Sequence, residues 1–171
     1  MSWIDYKELA TLVLDSAHEY ANKNSTCCKV KVGSCIIPNG DDSLFGLETF
    51  KHAVYGCNHG YENCKENGCR RIRLYGEASK EHRLPSDCDS IHSEIDSICR
   101  AASKQILTKG ATIFVTRYPC EACARAIVAA GIKKVVYGRK ESISEYTAEI
   151  FSKNEVKVEK IKGWEREDNN E

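Results

Sequence analysis

Residues 91–123 read IHSEIDSICRAASKQILTKGATIFVTRYPCEAC. His92 is followed two residues on by Glu94, and further along by the turn Pro119-Cys120-x-x-Cys123. One imidazole and two closely spaced thiolates fill three corners of a zinc tetrahedron and leave the fourth for water. Glu94 cannot be a fourth ligand without closing the site, so it is placed to move protons. Whatever the chain folds into must bring positions 92, 120 and 123 to one ion.

The segments around these residues show how they are presented. Residues 93–108 read as a helix with Ile95, Ile98, Cys99, Ala102 and Ile106 inward, closed by Gly110. Residues 111–116 read as a buried strand, and 120–130 as a helix of small residues ended by Gly131. His92 then falls just before or within one helix's first turn, and Cys120 and Cys123 within another's. Helix N-termini carry partial positive charge, which favours thiolate over thiol. The Cys-x-x-Cys turn brings both sulfurs to one side. H-x-E…P-C-x-x-C is the signature of zinc nucleobase deaminases, and five defined positions agree with it in order.

Upstream, Tyr6, Leu9, Ala10, Val13, Ala17, Tyr20 and Ala21 form the buried stripe of an amphipathic helix, capped by Ser2 and ending near 22–24. Residues 30–37, VKVGSCII, alternate and then turn uniformly apolar, as a strand does. Residues 38–42 form a turn, since Asn-Gly supplies positive φ, and roughly 50–55 returns as the antiparallel partner. After the motif come a strand at 132–137, a helix at 143–153, a short strand at 156–161 and a polar, frayed tail. The order α-β-β-α-β-α-β-α-β predicts an α/β fold, with helices on both faces of a mixed, partly parallel sheet.

A length of 171 residues fits one domain, spanning 1–171. Twenty-five basic and 25 acidic side chains cancel, which disfavours a nucleic-acid partner. No run of about 18 apolar residues exists to span a membrane. The acid-bearing, amphipathic N-terminus is unlike an export signal, so a cytoplasmic location is expected. In that reducing setting the ten cysteines serve metal ligation or burial before disulfides.

Residues 56–91 stand apart. Cys57, Cys64, Cys69 and Cys88 are interspersed with Arg70, Arg71, Arg73, Lys80, His82 and Arg83, and apolar residues are sparse. A loop this long is functional or cross-linked, so a metal-stapled insertion and a mobile lid are both open readings.

The chain resembles the deoxycytidylate (dCMP) deaminases of the cytidine-deaminase-like superfamily, including the bacterial late-competence-operon type, over roughly residues 5–160. Besides the zinc motif, the resemblance rests on Ser25-Thr26-Cys27 followed by Lys31-Val32-Gly33, on Gly56-Cys57-Asn58, and on Ala130-Gly131-Ile132-Lys133-Lys134-Val135. It implies a five-stranded sheet sandwiched by helices in three α/β/α layers, and a catalytic Zn2+ on His92, Cys120 and Cys123. Glu94 would be the proton carrier, Asn58 a nucleoside contact, and the protein a homo-oligomer acting on a small-molecule nucleotide. Cys27, Cys64, Cys69 and Cys88 are candidates for a second, structural zinc, with His82 a substitute. Tyr118 is a candidate base-stacking residue, set against a packing role for the same ring. Arg117, Arg70, Arg71 and Arg73 are candidate phosphate clamps, set against solvated surface charge.

Four positions depart from the family pattern. Ser93 and Asp96 stand where H-A-E-x-N has alanine and asparagine, Cys57 replaces a tyrosine, and His59 replaces a glycine. If Asp96 faces a substrate phosphate, like charges about 4 Å apart oppose binding by roughly 1 kcal/mol in water. The expected reaction is dCMP and water to dUMP and ammonia. The rivals are a sister deaminase of cytidine, guanine, a pterin or tRNA adenosine, and an inactive zinc-stabilised binding module.

Overall fold

The computed structural model describes residues 5–38, 47–76, 87–139 and 144–166, apart from the side chains of 47–49. Ser2, Asn39 to Asp42, Lys80, His82, Arg83, Ile143 and the last five residues, to which expectations above were attached, lie outside them.

A sheet of five strands is built from β1 (Gly33–Ile37), β2 (Val54–Cys57), β5 (Thr112–Arg117), β6 (Lys134–Arg139) and β7 (Lys157–Lys160), in the order β2-β1-β5-β6-β7. β1 runs antiparallel to β2 and β5, while β5, β6 and β7 are mutually parallel. A two-stranded ladder, β3 (His59–Gly60) with β4 (Ser90–Ile91), stands beside it.

The period-2 alternation of strand side chains divides the core between the two faces. Cys35, Ile37, Phe114 and Val136 meet α1 (Tyr6–Asn24) through Ala10, Val13, Leu14 and Ala17. Ile36, Ile113, Val115, Val135 and Tyr137 meet the helices of the opposite face, α4 (Ser93–Ser103), α5 (Glu121–Ala129) and α6 (Glu145–Lys153). The expected three-layer α/β/α sandwich is thus observed. α1 rides close on β1 because Gly33 has no side chain: a Cβ there would sit 2.0 Å from the Ala17 carbonyl oxygen.

Several boundaries and faces differ from expectation. Asp5 occupies the N-cap of α1 and makes no side-chain cap bond. Residues 47–52 form a 3-10 helix, so the return strand begins only at Val54. The insertion carries two short helices, α2 (Cys64–Asn67) and α3 (Arg70–Tyr75), besides the β3–β4 ladder. The tail docks rather than fraying at once: Trp164 is buried, with its indole N–H donating to Asp15 at 2.9 Å. His18 packs edge-on against that ring.

The largest correction concerns α4. It ends at Ser103, because Gln105 takes a left-handed φ of 57° and the Ile106 N–H bonds back to Ala101. Its inward face is polar: Ser93, Glu94, Asp96, Ser97 and Ala101 are buried, while Cys99 and Ala102 are exposed and Ile95 and Ile98 lie between. Hydrogen bonds, not apolar burial, seat the start of this helix.

Candidate active site

The site forms where β5 ends, β1 begins and β2 ends, an edge the antiparallel register of β1 brings together. His92 is the N-cap of α4 and Cys120 the N-cap of α5, with Cys123 in that helix's first turn. Neither N-cap makes a side-chain cap bond, so both side chains are available to each other. His92 Nδ1 lies 3.5 Å from Cys120 Sγ and 3.4 Å from Cys123 Sγ. Among the described residues, this is the one group of three or more ligand atoms within 4.8 Å of one another. One borderline nitrogen and two sulfurs are the donor set of a zinc site with an open position.

The two thiols are electrostatically unequal. Cys120 is pushed down to about 3, first by a hydrogen bond from Cys123 and then by His92. Cys123 is pushed up, first by donating to Cys120 and then by burial. His92 is raised, first by its hydrogen bond to Cys120. A shared proton thus favours one thiolate, and a bound cation favours both.

Glu94 is 4% exposed and receives the Ser93 hydroxyl at 3.1 Å. Burial raises its pKa, against the opposing pull of its own backbone N–H and of His92. Its hydrogen bond and charge reach Cys123. A carboxyl group raised toward neutrality beside a metal-ligand triad can both hold and release a proton.

Asn58 begins just past β2 and is buried. Its Oδ1 accepts from Val32 N–H and from the Ser25 hydroxyl, each at 2.8 Å, and its Nδ2 donates to the Val30 carbonyl at 2.8 Å. The second Nδ2 proton is what it has left to offer a ligand. Thr26 binds the Gly60 N–H at 2.9 Å, so Ser25 and Thr26 both hold the Asn58 segment.

Asp96 is buried and turned into contacts within the fold. Its carboxylate is spanned by Arg100 Nε at 3.0 and 2.9 Å, lies 3.1 Å from His59 Nε2, and accepts the Cys57 N–H at 3.0 Å. The charge is paired within the fold by Arg100. This network was missed in the sequence, although Asp96 and Arg100 stand at the i, i+4 spacing of a helical ion pair.

The other candidates divide. Tyr118 is half-buried and packs edge-on against Tyr137 at 4.9 Å and Phe151 at 6.4 Å. Arg70 pairs with Asp89, and Arg73 with Glu62 and the Asn67 carbonyl. Arg71 is the member of this group whose charge is felt at His92. Cys64 is pushed up to about 11, first by burial and then by the nearby Cys27, Cys69, Cys28 and Cys88 thiols. These thiols are near enough to act on Cys64 electrostatically, but no three of the sulfurs of Cys27, Cys64, Cys69 and Cys88 come within 4.8 Å of one another. Cys35 and Cys57 are buried; Cys28 and Cys99 are exposed.

A mixed five-stranded sheet that sets a His/Cys/Cys triad beside a buried glutamate is a deaminase architecture. The sequence matches the MafB19-like deaminase family over residues 13–167, and the chain belongs to that family. It is 32% identical to the deoxycytidylate deaminase of Enterobacteria phage T4, over 75% of this chain and 76% of that one. It is 30% identical to ComE operon protein 2 of Bacillus subtilis over 80% of this chain, and spans 63% of that relative's length. The crystal structure of the dCMP deaminase from cyanophage S-TIM5, in complex with dCMP and dUMP, shares the fold with a TM-score of 0.61. That likeness covers 90% of this chain and 96% of that one at 22% identity. No helix among the described residues is long and apolar enough to cross a membrane.

Proposed function

We propose that this chain catalyses the hydrolytic deamination of a cytosine nucleotide, dCMP and water giving dUMP and ammonia. The convergence of His92, Cys120 and Cys123 beside the buried Glu94 carries this reading. Likeness to deoxycytidylate deaminases supports the choice of substrate. Zinc held by the three ligands would supply a water acidic enough to attack at neutral pH, with a pKa of roughly 7. Glu94 would take one proton from the attacking water and pass it to the ring nitrogen as the C4–O bond forms. It would then take the second proton from the new C4 hydroxyl and pass it to the amine, so that the C4–N bond breaks and ammonia leaves with no redox change.

Asn58, through its remaining Nδ2 proton, and Tyr118, by stacking on the base, are the substrate contacts of this reading. Residues 1–171 act as one catalytic domain carrying the 56–91 insertion, in a cytoplasmic homo-oligomer. A second metal on Cys27, Cys64, Cys69 and Cys88 is also part of this reading, supported by the electrostatic influence of Cys27, Cys69 and Cys88 on Cys64.

Ammonia release from dCMP, CMP, deoxycytidine, dCTP, cytosine, guanine and adenosine, with metal analysis of the same preparation, tests the proposal. dCMP should be turned over best. Activity on none of them in zinc-loaded protein would leave a metal-stabilised binding module instead. Two zinc ions per chain would carry the second site, and one would remove it.

A further inference from the structure

Asp96 lies two residues beyond Glu94 on α4, and its two oxygens reach separate targets. Oδ2 accepts the Cys57 N–H at 3.0 Å, and Oδ1 lies 3.1 Å from His59 Nε2. Those are the residues on either side of Asn58. Arg100, one helical turn further on, braces the carboxylate through both oxygens. A charge-assisted bond of this kind fixes the acceptor in place as well as strengthening it.

The other side of the Asn58 segment is tied down separately. Its side chain binds residues 30–32 and Ser25, and the Gly60 N–H donates to Thr26. The segment is therefore suspended between two anchors, and one of them is the helix that carries Glu94. The β3–β4 ladder repeats the connection, setting His59 opposite Ile91, the residue before His92.

We propose that Asp96 is a positioning residue: by gripping Cys57 and His59 it sets Asn58 in register with the Glu94 helix, and so sets nucleotide affinity. This rests on the reading of Asn58 as a substrate contact. His59 and Asp96, two departures from the family pattern, then work as one unit. The Asp96–His59 contact supplies a link that glycine at position 59, having no side chain, could not make. A substrate-holding group displaced by even an ångström loses much of its value, because the reacting geometry is narrow.

Steady-state kinetics with dCMP on Asp96→Ala, Asp96→Asn and Asn58→Ala test this, each protein normalised by zinc content and thermal melt. Asp96→Ala should raise KM about tenfold while kcat changes by less than about threefold, the pattern of lost ground-state holding. Asp96→Asn keeps an acceptor for the Cys57 N–H and should restore most of the affinity. A purely structural Asp96 would lower the melting temperature and the active fraction while leaving KM unchanged, which would overturn the proposal. Asn58→Ala separates the two ways of failing. KM raised there but not in Asp96→Ala removes the positioning role alone. KM unmoved in both removes the Asn58 reading, and the positioning role with it.

Discussion

The Ser34 hydroxyl donates to the backbone carbonyl of Ser93 at 2.7 Å, joining the sheet's second strand to the residue between His92 and Glu94. Ser97, one turn along α4, brings its hydroxyl to 3.0 Å from Ser34 and donates to the Glu94 carbonyl at 2.9 Å. All three serines are fully buried. The start of α4 is therefore fixed to the sheet by polar contacts in a buried seam.

Removing this contact should be felt in both stability and rate. Ser34→Ala leaves the Ser93 carbonyl without its strand donor and should cost about 1 kcal/mol, a net hydrogen bond's worth. For a chain of this size that is roughly 2–4 °C in melting temperature. Thermal melts and ammonia release should fall together; an unchanged melt would show that the seam contributes nothing.

Gly56 tests the same seam from β2. A Cβ at this position would lie 2.5 Å from the Ser93 oxygen, 2.5 Å from the Ser97 nitrogen and 2.8 Å from the Ser97 Cβ. Backbone cannot yield as a side-chain tip does, so Gly56→Ala must push α4 off the sheet. Overpacking of this sort costs about 1–3 kcal/mol, and here it also moves Glu94 and His92. A variant with native melting temperature and full turnover would contradict the close approach.

Three helices end in the same way. After α4, α5 and α6 the chain takes a left-handed residue at Gln105, Gly131 and Glu155, and the next N–H reaches back to Ala101, Ile127 and Phe151 respectively. Only Gly131 adopts this conformation without steric cost. Left-handed backbone costs other residues about 1–2 kcal/mol, partly offset by glycine's larger entropy loss on folding. Gln105→Gly and Glu155→Gly should each raise stability by about 0.5 kcal/mol, measured by urea unfolding. Destabilisation by either would refute the helix ending.

These endings also show what the sequence could reveal. Gly131 marked the end of α5 because glycine signals left-handed backbone, while Gln105 carried no such mark and α4 was read as reaching 108. The order of strands and helices was legible from apolar periodicity. The buried face of α4 was not, because Ser93, Ser97 and Asp96 are held there by hydrogen bonds that no hydrophobicity pattern records. The triad and Glu94 were readable because metal chemistry restricts residue type and spacing. The Asp96–His59 contact joins positions 37 apart and needed the fold to appear.

Cys35, paired across the ladder with Tyr55, sets an alkaline limit. Burial pushes its thiol from 9.0 up to about 12, and Tyr55 is likewise pushed from 10.0 up to about 12. A thiol raised in the fold contributes stability that is complete below pH 9 and is lost as pH climbs toward 12. Three pH units at about 1.4 kcal/mol each make the thiol's share roughly 4 kcal/mol at most. Circular dichroism from pH 8 to 12 should show this decline, and Cys35→Ala should flatten it despite a lower starting stability. An equally steep decline in that variant would place the alkaline transition elsewhere.

Glu94→Gln separates chemistry from metal binding and from folding. The glutamine keeps the shape and can still accept the Ser93 hydroxyl, but it cannot take up and return a proton. Turnover should fall by about 10²–10⁴-fold, the usual contribution of a positioned acid–base group. Zinc content should be unchanged, because the proposed ligands are His92, Cys120 and Cys123. Burial holds the Glu94 carboxyl above its ordinary pKa, so the fold bears a cost whenever that group is ionised. A neutral replacement removes this cost, and the variant should melt no lower than the native protein at pH 8. Loss of zinc would make Glu94 a ligand or its support; retained turnover would take the proton transfer away from Glu94 altogether.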